Sequence, residues 1–536
     1  MPGNERRTNV SIDSGRGLTR RAVLKAGAAT VLPMFSGARV GWSADKPGET
    51  AARRMTRGAP QVFVDLDDVE STENIKQQFH SAQKHPANPV LDGGKEWERV
   101  MGGPCGSFIY DPDEKLFKVW YQGVIGDERG TTHSYGPHTL NYAISQDGVH
   151  WERPNLGIHE FTWDGQSTRD NNIVVPQTYH GGQDHWESVL KDLFDPDAAR
   201  RYKAIGWSSY DPHSSGFCET AGSCGIWSMT SADGLRWNHS PEAIFHYKLR
   251  PGKSDLGPVG DAQALMIDTP KRRYVAFLRG VEGNRLYSTS EDFVHWSPPL
   301  ESIPRIAGKA GSPTYNHVGF NYGDQYLGFA SHYAIEDDGV HHLRLRLLTS
   351  RDGLQFSYPG PDPYSRPALV DVGDYGDWDR YMCMLTGAPP IRVGDLLYIY
   401  YRGYSETHNR GGDKPQDSYY AGANGLATIR ADGFASLASG FDGGTVTTKP
   451  LVFDGETLSV NAKANHHGSS VVAEMLDEKQ EPIPQYTAAD SVPMTQDLVS
   501  ASIRWKERAG LGELAGRVVR VRFHLKNARL YSYQVS

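Results

Sequence analysis

Cysteine is scarce. Four in 536 residues cannot make a disulfide framework for so long a chain. A basic excess is missing too. Lys and Arg number 56 against 64 Asp and Glu, a net charge of −8, which argues against a nucleic-acid or anionic-membrane surface. No stretch approaches ~18 uninterrupted apolar residues, so no membrane-spanning helix is expected. His-Glu-x-x-His, a phosphate-binding glycine loop and a nucleophile elbow are all lacking. His341-His342 and His466-His467 are adjacent pairs, and neighbouring strand residues face opposite sides, so they make poor metal chelates. Gly (58), Pro (32), Tyr (27) and Trp (12) are plentiful, which suits many short strands joined by turns.

Residues 1–45 read as an address. Arg20-Arg21 precedes Val23-Leu24-Lys25 and a weakly apolar stretch from Ala26 to Val40. This resembles a twin-arginine export signal. The resemblance implies the twin-arginine export machinery as a partner, a periplasmic or secreted mature protein, and no membrane attachment afterwards. Residues 46–60 read as a linker. Cys218 and Cys224 would pair in an oxidising compartment or stay as two thiols. Cys105 and Cys383 read as buried apolar residues.

A short pattern then recurs: Ser145-Gln-Asp147-Gly148-Val-His-Trp151, Ser231-Ala-Asp233-Gly234-Leu-Arg-Trp237, Ser290-Glu-Asp292-Phe293-Val-His-Trp296 and Ser350-Arg-Asp352-Gly353-Leu-Gln-Phe356, with a weaker fifth copy at Asp432-Gly433-Phe434. Spacings of 59 to 86 residues between the aspartates indicate a solenoid or a propeller. Asp-Gly closes a hairpin, and the aromatic residue packs back on the sheet. Each unit also carries a strand–turn–strand element upstream, so five units of two hairpins predict an all-β, five-bladed β-propeller over 61–440. From 441 to 536 the alternation has period two in about six short strands, which predicts a β-sandwich.

A propeller binds ligands where its inner strands begin. Those positions offer His185-Trp186-Glu187, Asp261, Asn316-His317 and, before the first blade, Asp92, Glu96 and Glu98. His85-Pro-Ala-Asn-Pro-Val-Leu91, then Trp97-Glu98, five blades and a terminal sandwich resemble the five-bladed glycoside hydrolases of families 32, 43, 68 and 130. The Ser-x-Asp-Gly-x-x-Trp turns are similar to the structural Asp-box of sialidases. The resemblance implies a glycosidase, a carbohydrate substrate, and carboxylates at the inner-strand starts. Glu187 falls at the second-blade acid and Asp261 at the third. The first-blade Asn-Asp-Pro is replaced by Gly102-Gly103-Pro104-Cys105, which removes a carboxylate. Asp92, Glu96 and Glu98 are the carboxylates available to replace it, and His317 is a further catalytic candidate.

For substrate binding, Trp186 is placed to stack on a sugar, with His185, Asp92, Glu98 and Asn316 around it. Arg279 and Arg402 either bind an anionic sugar or pair with aspartate, and pairing is the expectation. No motif requires a cofactor; the resemblance leaves room for a calcium ion in the channel near His317. Two rival functions share the scaffold: a non-catalytic carbohydrate-binding propeller, and a lyase or phosphorylase.

Overall fold

The computed structural model describes residues 52–98, 106–124, 138–163, 165–176, 184–209, 224–241, 243–246, 259, 262–280, 284–304, 314–335, 340–360, 364–407 and 422–536. The export signal, Cys105, Cys218 and Asp261 lie outside this set. So do the side chains of His185 and Cys224. Apart from three single-turn 3-10 helices, the regular structure of the described residues is strand.

Five antiparallel meanders follow one another along the chain. The first three are separate sheets, with inner strands Gly106–Asp111, Asp184–Lys191 and Ala264–Asp268. The fourth begins at Thr314–Tyr322 and the fifth at Met382–Leu385; a parallel bridge, Leu343 to Met382, joins these two into one sheet. Consecutive inner strands touch. The ring closes where Gly387 N–H donates to the Gly106 carbonyl at 2.8 Å. The fold class is that expected, an all-β propeller followed by a sandwich.

Turn chemistry explains why the repeats recur. In the first four copies the Asp Oδ1 accepts the N–H groups two and three residues on, at 2.8–2.9 Å. The Ser hydroxyl oxygen accepts the N–H three residues on, at 2.9–3.0 Å. The fifth copy departs from this. Asp432 accepts from Tyr322 in the propeller and from Ser532 in the C-terminal sheets, both at 2.7 Å, and joins the two layers.

A second repeat locks neighbouring blades at the end where the inner strands finish. Asp111 accepts from Lys118 (2.8 Å) on its own second strand and from Tyr202 (3.0 Å) in the next blade. Asp192 does the same with Lys203 (2.9 Å) and Tyr274 (2.5 Å). Asp268 repeats it with Arg273 (2.8 Å) and Tyr326 (2.7 Å). Burial alone would raise the Asp111 pKa, but the hydrogen bonds from Lys118, Lys191 and Tyr202 outweigh it and hold the carboxyl well below the usual range.

The N-terminal boundary differs from the expectation. Residues 61–79, read above as propeller, pair with the C-terminal strands instead. Gln61–Val62 and Lys76–Phe79 join one sheet with Ala435–Ala438, Leu458–Lys463, Asp497–Ser502 and Arg529–Val535. Val69–Glu73 joins the other with Gly444–Thr448, Ser470–Leu476 and Arg520–Lys526. The two sheets share one apolar core, including Val446, Val460, Met475, Phe523 and Tyr533. In the 46–60 segment, Arg53–Arg54 pairs with Leu451–Val452. Gln83–Lys84 then becomes the last strand of the fifth meander, against Ala427 and Thr428, so that sheet's outer edge is covered by the chain start. A 2.7 Å ion pair from Lys84 to the buried Asp379 fastens it.

Candidate active site

The two ends of the propeller treat buried polar groups differently. At the finishing end of the inner strands, the buried carboxylates sit in the ion-pair locks just described. At the starting end, several buried polar side chains find no hydrogen-bond partner among the described residues. They are both amide atoms of Gln122 and of Asn141, the Oδ1 of Asn316, and Nη1 and Nη2 of Arg402. Such groups are unfavourable unless something occupies the space they face. The starting end is therefore the candidate site.

Glu187 occupies a bulge in strand Asp184–Lys191, between Trp186 and Ser188, and is buried. Its carboxylate spans to the next blade. Oε1 accepts the Ala262 N–H and Oε2 the Gln263 N–H, each at 2.5 Å. Ala262 has a positive φ of 74°, a strained setting that the clamp holds in place. Asp261, the other nominated carboxylate, lies outside the described residues.

Glu98 ends the short helix Glu96–Glu98 and is fully buried. Arg153 Nε lies 2.6 Å from its Oε1. Burial pushes its carboxyl up to about 6, against the opposing pull of Arg153, a Tyr121 hydrogen bond and Lys95. Tyr121 accepts from Asn172 Nδ2 at 2.8 Å, and Asn172 Oδ1 accepts the Trp97 indole N–H at 2.7 Å. The result is a chain of buried polar groups just before the first inner strand. Arg153, Tyr121, Asn172, Gln122 and Asn141 were not nominated from sequence. The available signal was a polar residue inside an otherwise apolar strand, as with Gln122 after Val119-Trp120-Tyr121 and Asn141 after Leu140.

Other nominated residues do something else. His317 packs against Phe277 at 4.8 Å, ring centre to ring centre, between the third and fourth blades. Ser302 gives its only proton to the Leu354 carbonyl, so His317 Nε2–H donates to Ser302 Oγ at 2.8 Å. Burial, with the Arg285 charge, lowers it to about 3. A neutral, packed imidazole replaces the expected catalytic one. Trp186 is buried among Trp120, Leu140 and Val189 and meets His239 edge-on at 5.1 Å, so its ring is no platform for a sugar. The aromatic face went into the interface between blades one and two.

Asp92 is exposed, and its carbonyl accepts from Arg153. Arg279 stacks over the Tyr315 ring at 4.2 Å and donates to its hydroxyl at 3.2 Å. Arg402 donates from Nε to Tyr404 at 2.6 Å, and no carboxylate pairs with it among the described residues, contrary to the pairing expected. Cys383 is a free, buried thiol raised by burial. Among the described residues no group of three or more His, Cys, Asp or Glu that could hold a metal ion is found.

No family model matches the chain, and no curated protein matches it either. Solved structures do resemble it. A glycosyl hydrolase from Bacteroides ovatus matches with a TM-score of 0.40 and 12% identity, over 66% of this chain and 94% of that one. A structure from the GH130 family of mannoside phosphorylases gives 0.39 and 13%, over 66% and 94%. An α-L-arabinofuranosidase from Podospora anserina gives 0.41 and 13%, over 65% and 98%. Likenesses this distant decide nothing about chemistry, which has to come from the side chains.

Proposed function

We propose that the chain is a glycosidase whose active site is the end of the propeller where the inner strands begin. One observation carries this reading: two buried carboxyl groups stand there in opposite settings. Glu98 is desolvated and raised to about 6, which suits a proton donor. Glu187 receives two backbone N–H donors, which complement a carboxylate and not a neutral acid. Pairs of acids driven apart by their surroundings are how one site runs acid and base chemistry together.

In this scheme Glu98 protonates the leaving oxygen. A carboxylate from the Glu187–Asp261 position activates water or attacks the anomeric carbon. Glu187 also clamps the backbone at Ala262 and Gln263. We further place the protein outside the cytoplasm, because residues 18–26 resemble a twin-arginine signal. No helix of the described residues is long and apolar enough to cross a membrane.

The test is a screen of α- and β-linked oligosaccharides with the purified mature chain, products being resolved by mass. Hydrolysis of at least one linkage is expected. Its kcat/KM should fall as pH rises through about 6, because Glu98 then loses the proton it donates. Binding without turnover would favour the non-catalytic propeller, and an unsaturated product absorbing in the ultraviolet would favour a lyase.

A further inference from the structure

Arg402 lies third from the end of strand Leu396–Tyr404, opposite Met384 and Asn424, and is fully buried. At the other end of the propeller, two buried lysines meet carboxylates. Lys118 meets Asp111 and Lys203 meets Asp192. Arg402 has no such pairing among the described residues. Its Nε is satisfied by the Tyr404 hydroxyl, while Nη1 and Nη2, the two arms of the guanidinium fork, have no acceptor there. A buried charge without a counterion is strongly unfavourable. Chains keep one where a ligand completes it.

We propose that Arg402 is an oxyanion subsite and that the sugar bound at this end is acidic, its carboxylate seated on Nη1 and Nη2. This rests on the carbohydrate reading above and adds a substrate class to it. The fork of a guanidinium matches a carboxylate with two parallel hydrogen bonds. One guanidinium balances the single charge of a carboxylate, whereas inorganic phosphate at neutral pH is a mixture of monoanion and dianion. Gln122 and Asn141, at the same end of the propeller, add neutral amides with no partner among the described residues, suited to hydroxyl groups.

Isothermal titration of the mature chain tests this. The probes are acidic oligosaccharides (oligogalacturonate, oligoglucuronate), their neutral counterparts of matching linkage, and inorganic phosphate alone. An acidic oligosaccharide should bind at least about tenfold more tightly than its neutral counterpart. R402Q should erase that preference and leave Tm equal or higher, because it removes an unpaired buried charge. R402K should restore only part of the preference.

Equal binding of acidic and neutral sugars overturns the inference and leaves the carbohydrate reading standing. No binding of either kind overturns both. Phosphate binding that R402Q abolishes, without acidic-sugar preference, overturns the carboxylate assignment. A lower Tm in R402Q with the preference intact makes Arg402 structural and also overturns the proposal.

Discussion

The third repeat turn carries Phe293 where the others carry glycine. Gly148, Gly234 and Gly353 have φ of 77°, 76° and 74°, and Phe293 has 64°. A bulky residue in this region costs about 1–2 kcal/mol. Phe293 is nevertheless buried against Trp296 and Tyr274, and truncating a buried Phe costs about 3–5 kcal/mol. Packing therefore wins, and Phe293→Gly should lose about 2–3 kcal/mol in denaturant unfolding despite the backbone relief. A more stable F293G would refute this weighing. Gly234 has no such choice. An added Cβ would stand 2.5 Å from the Trp120 ring, so Gly234→Ala should cost about 2 kcal/mol or more on the same measurement. These turns were legible in the sequence because Asp, Gly and Ser act within four residues of each other. The fates of Trp186, His317 and Arg402 were not legible, because their partners are chosen by strands far away in the chain.

At the scale of elements, the Asp–basic–Tyr locks hold each blade to the next. Asp111→Asn would leave Lys118 buried with only Glu114 as a charged partner, and Lys191 with only Asp113. Breaking a buried pair costs about 3–5 kcal/mol, and Tm should drop accordingly. The pH sign follows from the depressed Asp111 pKa. Its stabilisation is present above the ordinary carboxylate value of about 4 and is lost as pH falls towards the much lower folded value. The wild type should thus lose stability in strong acid more steeply than D111N. Equal acid sensitivity would speak against the lock.

The aspartates of these locks are visible in the sequence, but nothing local marks them as locks. Their second function needs a tyrosine from the following repeat. The N-terminal strands show the same limit. Gln77 sits opposite Leu437 and Thr72 opposite Val446, pairings that local alternation cannot reveal.

At the scale of the whole molecule, three Asp locks mark one end of the propeller, while Gln122, Asn141 and Arg402, with unpartnered polar atoms, and Glu187, with its clamp, mark the other. The five-fold repeat located that second end before any side chain was placed. Glu187 and Asp261 were nominated from it; Glu187 clamps the backbone at Ala262 and Gln263, and Asp261 lies outside the described residues. Of the three acids offered by the loop before the first blade, Glu98 alone is buried, and it is the one we propose as the proton donor.

A competing location exists at the end marked by the locks. A cavity of about 350 Å³ lies between blades two and three, lined in part by Phe194, Arg272 and Glu291. Turnover of the best oligosaccharide by E98Q, E187Q and E291Q, each checked for native near-ultraviolet dichroism, separates the two ends. Loss of about 100-fold or more in E98Q and E187Q, with E291Q unchanged, is the predicted result. Full activity in both mouth variants, or loss confined to E291Q, would contradict the placement of the site.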